Sequence, residues 1–233
     1  PVQIYMPSWL STERKSLLRF YGAKLFEITP EEGGFQRCIE LADKKSRKSG
    51  FFCPKQFENS WNVLAHAQTT APELDNALKL NNLGDLDVFI AGMGTGGTVM
   101  GFYHYFSQKK KGFKAYPILP DKNKDGEHRI EGIGDSFIPK LLDLQALNPI
   151  LRVNDADAIN IARQINKLGL SVGISSGANV FGAILKASEL ADDKNVGTIL
   201  CDGNKKYLTT DLCSNSEEPL SRKIKILDFE MIA

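Results

Sequence analysis

Short apolar segments alternate with amphipathic segments along most of the chain. Five apolar segments have the length and composition of β-strands, at residues 2–6, 24–28, 87–91, 115–119 and 198–201, and we expect the last to be buried. Five helices are predicted between or after them, at residues 11–22, 35–50, 97–106, 154–169 and 177–190, counting the residues that begin and end them. Strands that alternate with helices usually pair in parallel, with the helices as crossovers. The pattern therefore predicts an α/β fold with mainly parallel sheets.

Apolar side chains that recur every three or four residues mark one face of four of these helices. They are Leu17, Leu18 and Tyr21; Phe35, Cys38, Ile39 and Ala42; Ile161, Ile165 and Leu168; and Val180, Ile184 and Ala187. We expect the face of the last helix to point inward. A polar, mixed segment before residue 87 interrupts the alternation, and the Gly/Asp/Lys-rich segment 121–126 is predicted to be an exposed loop.

Composition and charge narrow the functional class. Lys and Arg number 29 against 28 Asp and Glu, a formal net charge of +1, so no general field attracts nucleic acid or an anionic membrane. The basic run Lys109–Lys111 with Lys114 is predicted to be a solvated helix end or loop. No stretch reaches the ~18 apolar residues of a membrane span, and the N-terminus lacks the pattern of a signal peptide, which favours a cytoplasmic protein. Because the net charge is close to zero, we expect a small-molecule ligand. The cysteines and histidines lack metal-ligand spacing, so we expect no metal.

A glycine-rich segment, residues 92–98, lies directly between a predicted strand and a predicted helix. Glycines allow a sharp turn with converging N–H groups, the helix N-terminus adds positive potential, and threonine hydroxyls can donate further hydrogen bonds. We therefore predict a phosphate site. Gly92, Gly94 and Gly97 also satisfy the Gly-x-Gly-x-x-Gly pattern of dinucleotide-binding oxidoreductases, although Asp121 is only a loose candidate for the acidic residue that this pattern requires. The motif alone leaves both cofactors open.

Seven segments in order resemble one family of pyridoxal-phosphate enzymes. They are Pro7-Ser8, Gln56–Asn62, Thr69–Glu73, Gly94–Thr98, His128–Gly134, Phe137–Pro139 and Val172–Ala178. These are similar to the "MPS", "QQFxNPxNP", "TTGPE", "GTGGT", "HKIxGIG", "FIP" and "GISSGA" segments of the cysteine synthase or O-acetylserine sulfhydrylase family, which includes the cystathionine β-synthase core. The resemblance implies fold type II, with two α/β domains at residues 1–57 and 58–233, and pyridoxal 5'-phosphate as cofactor.

The resemblance also implies site residues. The glycine loop, Gly94, Thr95, Gly96, Gly97 and Thr98, would cradle the phosphate, and Ser175 would hydrogen-bond the pyridine nitrogen. Gln56 would contact the substrate carboxylate, and Gly132 would line the opposite wall. From the residues alone, Ser175 is equally a cap for a helix that begins at Gly177, and Gln56 a surface polar residue.

The implied reaction is β-replacement, which makes L-cysteine from O-acetylserine, or a similarly activated serine, and sulfide or another thiol. The family's Schiff-base lysine and its substrate loop precede the "MPS" segment, and no lysine from Pro1 to Ala233 matches that context, so we assign no catalytic residue and expect the chain alone to be inactive. A catalytically silent relative or fragment that binds a ligand or a protein is the alternative. The resemblance further implies a homodimer.

Overall fold

The computed structural model describes residues 1–122, 127–134, 137–214 and 218–231. The chain divides into two compact units, Pro1–Lys55 with Asn204–Ser216, and Gln56–Gly203 with Glu217–Ala233. Within the described ranges, no helix is long and apolar enough to cross a membrane. Part of the predicted loop 121–126 lies outside the described residues, and its first two residues are exposed.

The first unit is built on two parallel strands. In chain order its elements are β1 (Gln3–Pro7), α1 (Thr12–Phe20), β2 (Lys24–Ile28) and α2 (Gly34–Ser46). Tyr5 and Phe26 lie side by side on the paired strands, with ring centroids 4.7 Å apart. Cys38 is buried on the predicted face of α2. The alternation of strand and helix is confirmed here.

The apolar face predicted for α1 is not buried. Leu17 and Tyr21 are exposed, and no residue of α1 is fully buried. The reason is that α1 packs chiefly against β2 and the short 3-10 turn Asn204–Lys206, which cover little of its surface. Ser11, predicted to open the helix, makes no capping bond and instead donates its hydroxyl to the Lys206 carbonyl at 2.6 Å.

The second unit contains a four-stranded parallel sheet with helices. Its elements in chain order are α3 (Trp61–Gln68), α4 (Thr70–Leu80), β3 (Leu86–Gly92), α5 (Gly97–Lys109), β4 (Lys114–Pro120), β5 (Leu151–Val153), α6 (Asp155–Lys167), α7 (Ile174–Ala187) and β6 (Asn195–Thr198). The strand order is β5-β4-β3-β6, with every pair parallel. The predicted α/β class with parallel strands is confirmed, and β3 is an inner strand.

The core of the second unit is aromatic where β3 meets α5. The rings of Phe89 and Phe102 stack with centroids 3.6 Å apart, and Phe106 and Phe113 extend the stack. All four side chains are buried. Stacked buried rings of this size contribute much of the apolar area that holds a helix to a sheet. This packing fixes α5 on β3, and therefore the turn that connects them.

Several predictions about the second unit are wrong in detail. The polar segment before β3 forms α3 and α4, whose outer faces are exposed, so its composition hides the helices. The last strand ends at Thr198 and is only half-buried, because β6 is an edge strand, and Leu200 and Cys201 beyond it are exposed. In α7 the buried residues are 174–179, Phe181 and Gly182, whereas Val180 and Ile184 are half-buried and Ala187 is exposed. The chain between β4 and α6 also forms β5, which the pattern does not predict.

A buried carboxylate ties α4 to α5. Asp75 accepts hydrogen bonds from Lys79 at 2.8 Å, Lys109 at 2.6 Å and the Tyr105 hydroxyl at 2.8 Å. Burial opposes ionisation of Asp75, but these donors outweigh it and lower its pKa to about 2. The basic run at the end of α5 is therefore more than a solvated end, since Lys109 pairs with Asp75 and Lys110 with Asp87.

Replacing Asp75 by Asn should destabilise the protein. At pH 7 we expect Asp75→Asn to lower the free energy of unfolding by about 1–3 kcal/mol, because it removes a charged acceptor from three donors. The pKa of Asp75 is lower in the folded protein than in the unfolded chain, so its contribution is complete above about pH 4 and is lost as the pH falls toward 2. Urea unfolding at several pH values measures this. Asp193→Asn, at an exposed carboxylate paired with its neighbour Lys194, is the control. An equal loss in both variants would contradict the prediction.

Candidate functional site

The glycine loop, residues 94–98, lies at the carboxyl end of β3 and leads into α5. A Cβ atom on Gly97 would lie 2.0 Å from the Asn62 side-chain oxygen, and one on Gly96 would lie 2.4 Å from Leu142. Gly96 also has a φ of +84°, a conformation that favours glycine. The loop is therefore packed too closely for any side chain at these two positions.

The same packing leaves backbone donors free. Within the described part of the chain, the N–H groups of Thr95, Gly96 and Thr98 donate to no protein acceptor. They lie at the N-terminus of α5, where unpaired N–H groups and the helix dipole attract anions. The Thr95 hydroxyl accepts from the Gly97 N–H at 3.3 Å, which holds the turn. This geometry fits a phosphate group.

Gly132 lies against the loop. A Cβ atom on Gly94 would lie 2.5 Å from the Gly132 carbonyl oxygen, and the Gly134 N–H donates to the Met93 carbonyl at 3.2 Å. Ile133 is buried and packs where Gly92 has no side chain. The structure therefore brings the predicted Gly132 wall beside the glycine loop.

Gln56 is connected to the loop through a residue to which sequence reasoning gave no role. The Asn62 side-chain amide donates to the main-chain carbonyl of Gln56 at 2.9 Å and to the Thr95 hydroxyl at 2.8 Å. The Gln56 side chain itself is exposed, which both a substrate contact and a plain surface residue allow. One amide thus holds the predicted substrate residue next to the predicted phosphate site.

Ser175 lies in the first turn of α7. The helix begins at Ile174, with Gly173 as its N-cap residue and no side-chain cap, so Ser175 does not cap a helix that begins at Gly177. Ser175 is 5% exposed, and among the described residues its hydroxyl has no hydrogen-bond partner. The neighbouring Ser176 hydroxyl, by contrast, accepts from the Cys201 N–H at 2.9 Å. Of the two serines, Ser175 is the one that is free to bind a ligand.

His66 is a further residue that the sequence did not single out. One ring nitrogen lies 3.2 Å from the Thr98 hydroxyl and the other 3.0 Å from the Thr70 hydroxyl. Burial lowers the pKa of His66, which favours the neutral ring with one donor and one acceptor nitrogen. The histidine therefore orients the Thr98 hydroxyl. Recognition of α3 would have been needed to find it, because His66 and Thr70 are neighbours only on helical backbone.

These features fit pyridoxal phosphate. The free N–H groups and threonine hydroxyls of the glycine loop suit its phosphate, and the unpartnered hydroxyl of Ser175 suits its pyridine nitrogen. Both belong to the second unit. Asn179, four residues after Ser175 in α7, also bonds the Gly92 N–H at 2.8 Å, so the helix that carries Ser175 contacts the strand that carries the loop.

Comparison with known proteins agrees with this geometry. The chain is 37% identical over 214 residues to cysteine synthase B of Campylobacter jejuni. The aligned region covers 89% of this chain and 70% of that protein. A hydrogen sulfide-producing enzyme from Fusobacterium nucleatum is 41% identical, with a TM-score of 0.87 over 94% of this chain and 68% of that one. Cysteine synthase from Entamoeba histolytica is 30% identical, with a TM-score of 0.79 over 94% of this chain and 66% of that one.

The family comparison decides between the two interpretations of the glycine loop. Residues 1–202 match the model of a family described as pyridoxal-phosphate dependent enzymes. The match favours pyridoxal phosphate over a dinucleotide as the cofactor of this chain. The resemblance inferred from the seven segments is confirmed: the chain belongs to the pyridoxal-phosphate dependent enzyme family.

Proposed function

We propose that this enzyme makes L-cysteine by β-replacement, from O-acetylserine or a similarly activated L-serine and sulfide. The observation that carries the proposal is that Ser175 is 5% exposed while its hydroxyl has no hydrogen-bond partner among the described residues. The similarity to cysteine synthases at 36–37% identity supports the same reaction class.

A hydroxyl at the pyridine nitrogen suits chemistry at the β-carbon. When bound, the cofactor supplies an electron sink for bonds that break next to the substrate's amino group. Ser175 is neutral, so it does not hold the nitrogen protonated as a carboxylate would, and the sink is weaker. A weaker sink is sufficient for loss and replacement of a good β-leaving group.

The other site residues have binding roles. The glycine loop, Gly94–Thr98, holds the phosphate and so fixes one end of the cofactor. Gln56 contacts the substrate carboxylate, and Gly132 closes the opposite wall with backbone groups. The covalent link to the cofactor and the proton transfer at the α-carbon are assigned to no residue from Pro1 to Ala233. The proposed substrates are an activated amino acid and sulfide.

Release of sulfide is a second candidate, favoured by the 41% identity to a hydrogen sulfide-producing enzyme. In that reaction L-cysteine and water give L-serine and hydrogen sulfide. The carbon–sulfur bond breaks, a carbon–oxygen bond forms at the same β-carbon, and the sulfur leaves with a proton from water. The same cofactor site would serve both reactions.

A substrate panel distinguishes the two reactions. We expect the protein expressed from its own gene and loaded with pyridoxal phosphate to form cysteine from O-acetylserine and sulfide at least ten times faster than it releases sulfide from L-cysteine. Cysteine and sulfide are measured separately, with L-serine as an unactivated donor for control. Faster sulfide release would support the second candidate. Cofactor binding with no turnover of either substrate would indicate a silent binding protein.

Ser175 and Ser176 form a matched pair for testing cofactor binding. We expect Ser175→Ala to weaken pyridoxal phosphate binding about tenfold, because one hydrogen bond is worth about 1–1.5 kcal/mol. Ser176→Ala removes a bond to the Cys201 N–H and should lower the free energy of unfolding while leaving the affinity within about twofold. Titration followed by absorbance and urea unfolding measure the two effects. Equal affinities for Ser175→Ala and the unmodified protein would remove Ser175 from the site.

A stronger test of the phosphate cradle uses Thr98. Thr98→Val keeps the shape of the side chain but removes its hydroxyl, and we expect the affinity for pyridoxal phosphate to fall about tenfold, whereas Thr98→Ser keeps it. Thr70→Val removes the other hydroxyl that contacts His66 and is the control. If both valine variants weaken binding equally, the effect comes through His66 rather than through contact with the phosphate.

A further inference from the structure

We propose that Asn179 is a positioning residue that holds the two ends of the cofactor site at a fixed distance. The inference rests on the roles proposed above for the glycine loop and Ser175. Asn179 itself reaches neither the phosphate cradle nor the pyridine site in this proposal. It acts through the backbone that carries both.

The Asn179 side chain is fully buried and uses both ends of its amide. Its oxygen accepts the Gly92 N–H at 2.8 Å. Its nitrogen donates to the Ile199 carbonyl at 2.9 Å and contacts the Cys201 sulfur at 3.3 Å. A buried amide with these partners is strongly oriented, because the loss of any one would leave a polar group unsatisfied away from water.

The Asn179 amide lies where the pairing of two sheet strands ends, and this position defines its proposed role. The pairing between β3 and β6 ends at Ile90 and Thr198. Beyond that point the two backbones no longer bond each other, and the Asn179 amide bonds one group on each side, the Gly92 N–H and the Ile199 carbonyl. A primary amide has the same donor and acceptor as a peptide group. Asn179 therefore replaces the next step of the strand ladder and holds the sheet open at its carboxyl end.

This opening lies between the two parts of the cofactor site. Gly92 is the last residue of β3 and is separated from the loop by Met93 alone, while Ser175 lies one helical turn before Asn179 on α7. A shift of α7 relative to β3 would therefore change the distance from Ser175 to the glycine loop.

The opposite end of the same two strands provides a matched control. The Asn195 side chain donates to the Leu83 carbonyl at 2.6 Å and to the Asp85 carbonyl at 3.0 Å, where β6 and β3 begin. It also bridges backbone groups, but it lies at the amino ends of the strands, away from the glycine loop. If Asn179 had a purely structural role, replacing either asparagine would lower stability and leave cofactor affinity unchanged.

The experiment compares Asn179→Ala with Asn195→Ala in the full protein. Each variant is titrated with pyridoxal phosphate, and its free energy of unfolding without cofactor is measured. We expect both to lose stability but only Asn179→Ala to lose cofactor affinity, by tenfold or more, with a shifted absorbance maximum for the bound cofactor. Asn195→Ala should keep its affinity within about twofold. Unchanged affinity in Asn179→Ala would overturn the proposal.

Three further measurements cover the case in which Asn179→Ala does not fold and separate this inference from the proposed function. Asn179→Asp retains the acceptor for Gly92 and loses the donor to Ile199, so its affinity should lie between those of Asn179→Ala and the unmodified protein. If neither variant folds, hydrogen exchange at the Gly92 N–H in the unmodified protein should slow at least tenfold on cofactor binding, and an unchanged rate would contradict the inference. Ser175→Ala in the same titration separates the failures. Normal binding by Ser175→Ala removes Ser175 from the proposed site and overturns this inference with it, whereas weak binding by Ser175→Ala with normal binding by Asn179→Ala removes only the role of Asn179.

Discussion

The site depends on the absence of side chains at the carboxyl end of β3. At Gly94, Gly96 and Gly97 the backbone lies so close to Gly132, Leu142 and Asn62 that a methyl group at each would collide. This approach forces the chain to turn before α5 begins, and the turn leaves N–H groups without an acceptor among the residues that the structure describes. The backbone donors that suit an anion are therefore a consequence of packing. The aromatic stack of Phe89 on Phe102 supplies the rigid base, because it fixes the helix on the strand that the loop connects.

Two asparagine amides link this loop to the rest of the candidate site. Asn62 bonds the Gln56 carbonyl and the Thr95 hydroxyl, and Asn179 bonds the Gly92 N–H and the Ile199 carbonyl. Each connects segments that are far apart in sequence but lie in the same unit. An amide suits this task, because it carries a donor and an acceptor without a charge and so costs less to bury than an ionised group. The second unit thus positions its binding groups with neutral side chains, and its buried carboxylates, Asp75 and Asp157, make their hydrogen bonds to other residues.

Local pattern predicted much of this structure, and the remainder depends on contacts between distant residues. The strands at residues 24–28, 87–91 and 115–119 were predicted to within two residues, because they are apolar and bounded by turn residues. In α7 nearly every position is apolar or small, so periodicity could not show that Phe181 rather than Val180 is buried. The motif singled out Ser175, but only the structure shows that its hydroxyl is free while that of Ser176 is bonded. Asn179 could not be predicted, since its partner Ile199 lies 20 residues away along the chain.

The groups proposed to hold the cofactor would not choose between making cysteine and releasing sulfide from it. Both reactions include the step in which the carbon–sulfur bond forms or breaks, and that step has one transition state, so a phosphate cradle and a neutral group at the pyridine nitrogen would favour it in both reactions. The choice belongs to whatever controls which nucleophile reaches the β-carbon, water or sulfide. Gln56 and the Gly132 segment line the substrate side in the proposed site, and they, rather than Ser175 or the glycine loop, are where a difference between the two activities would be built. Two relatives named for different activities can therefore have the same kind of cofactor site.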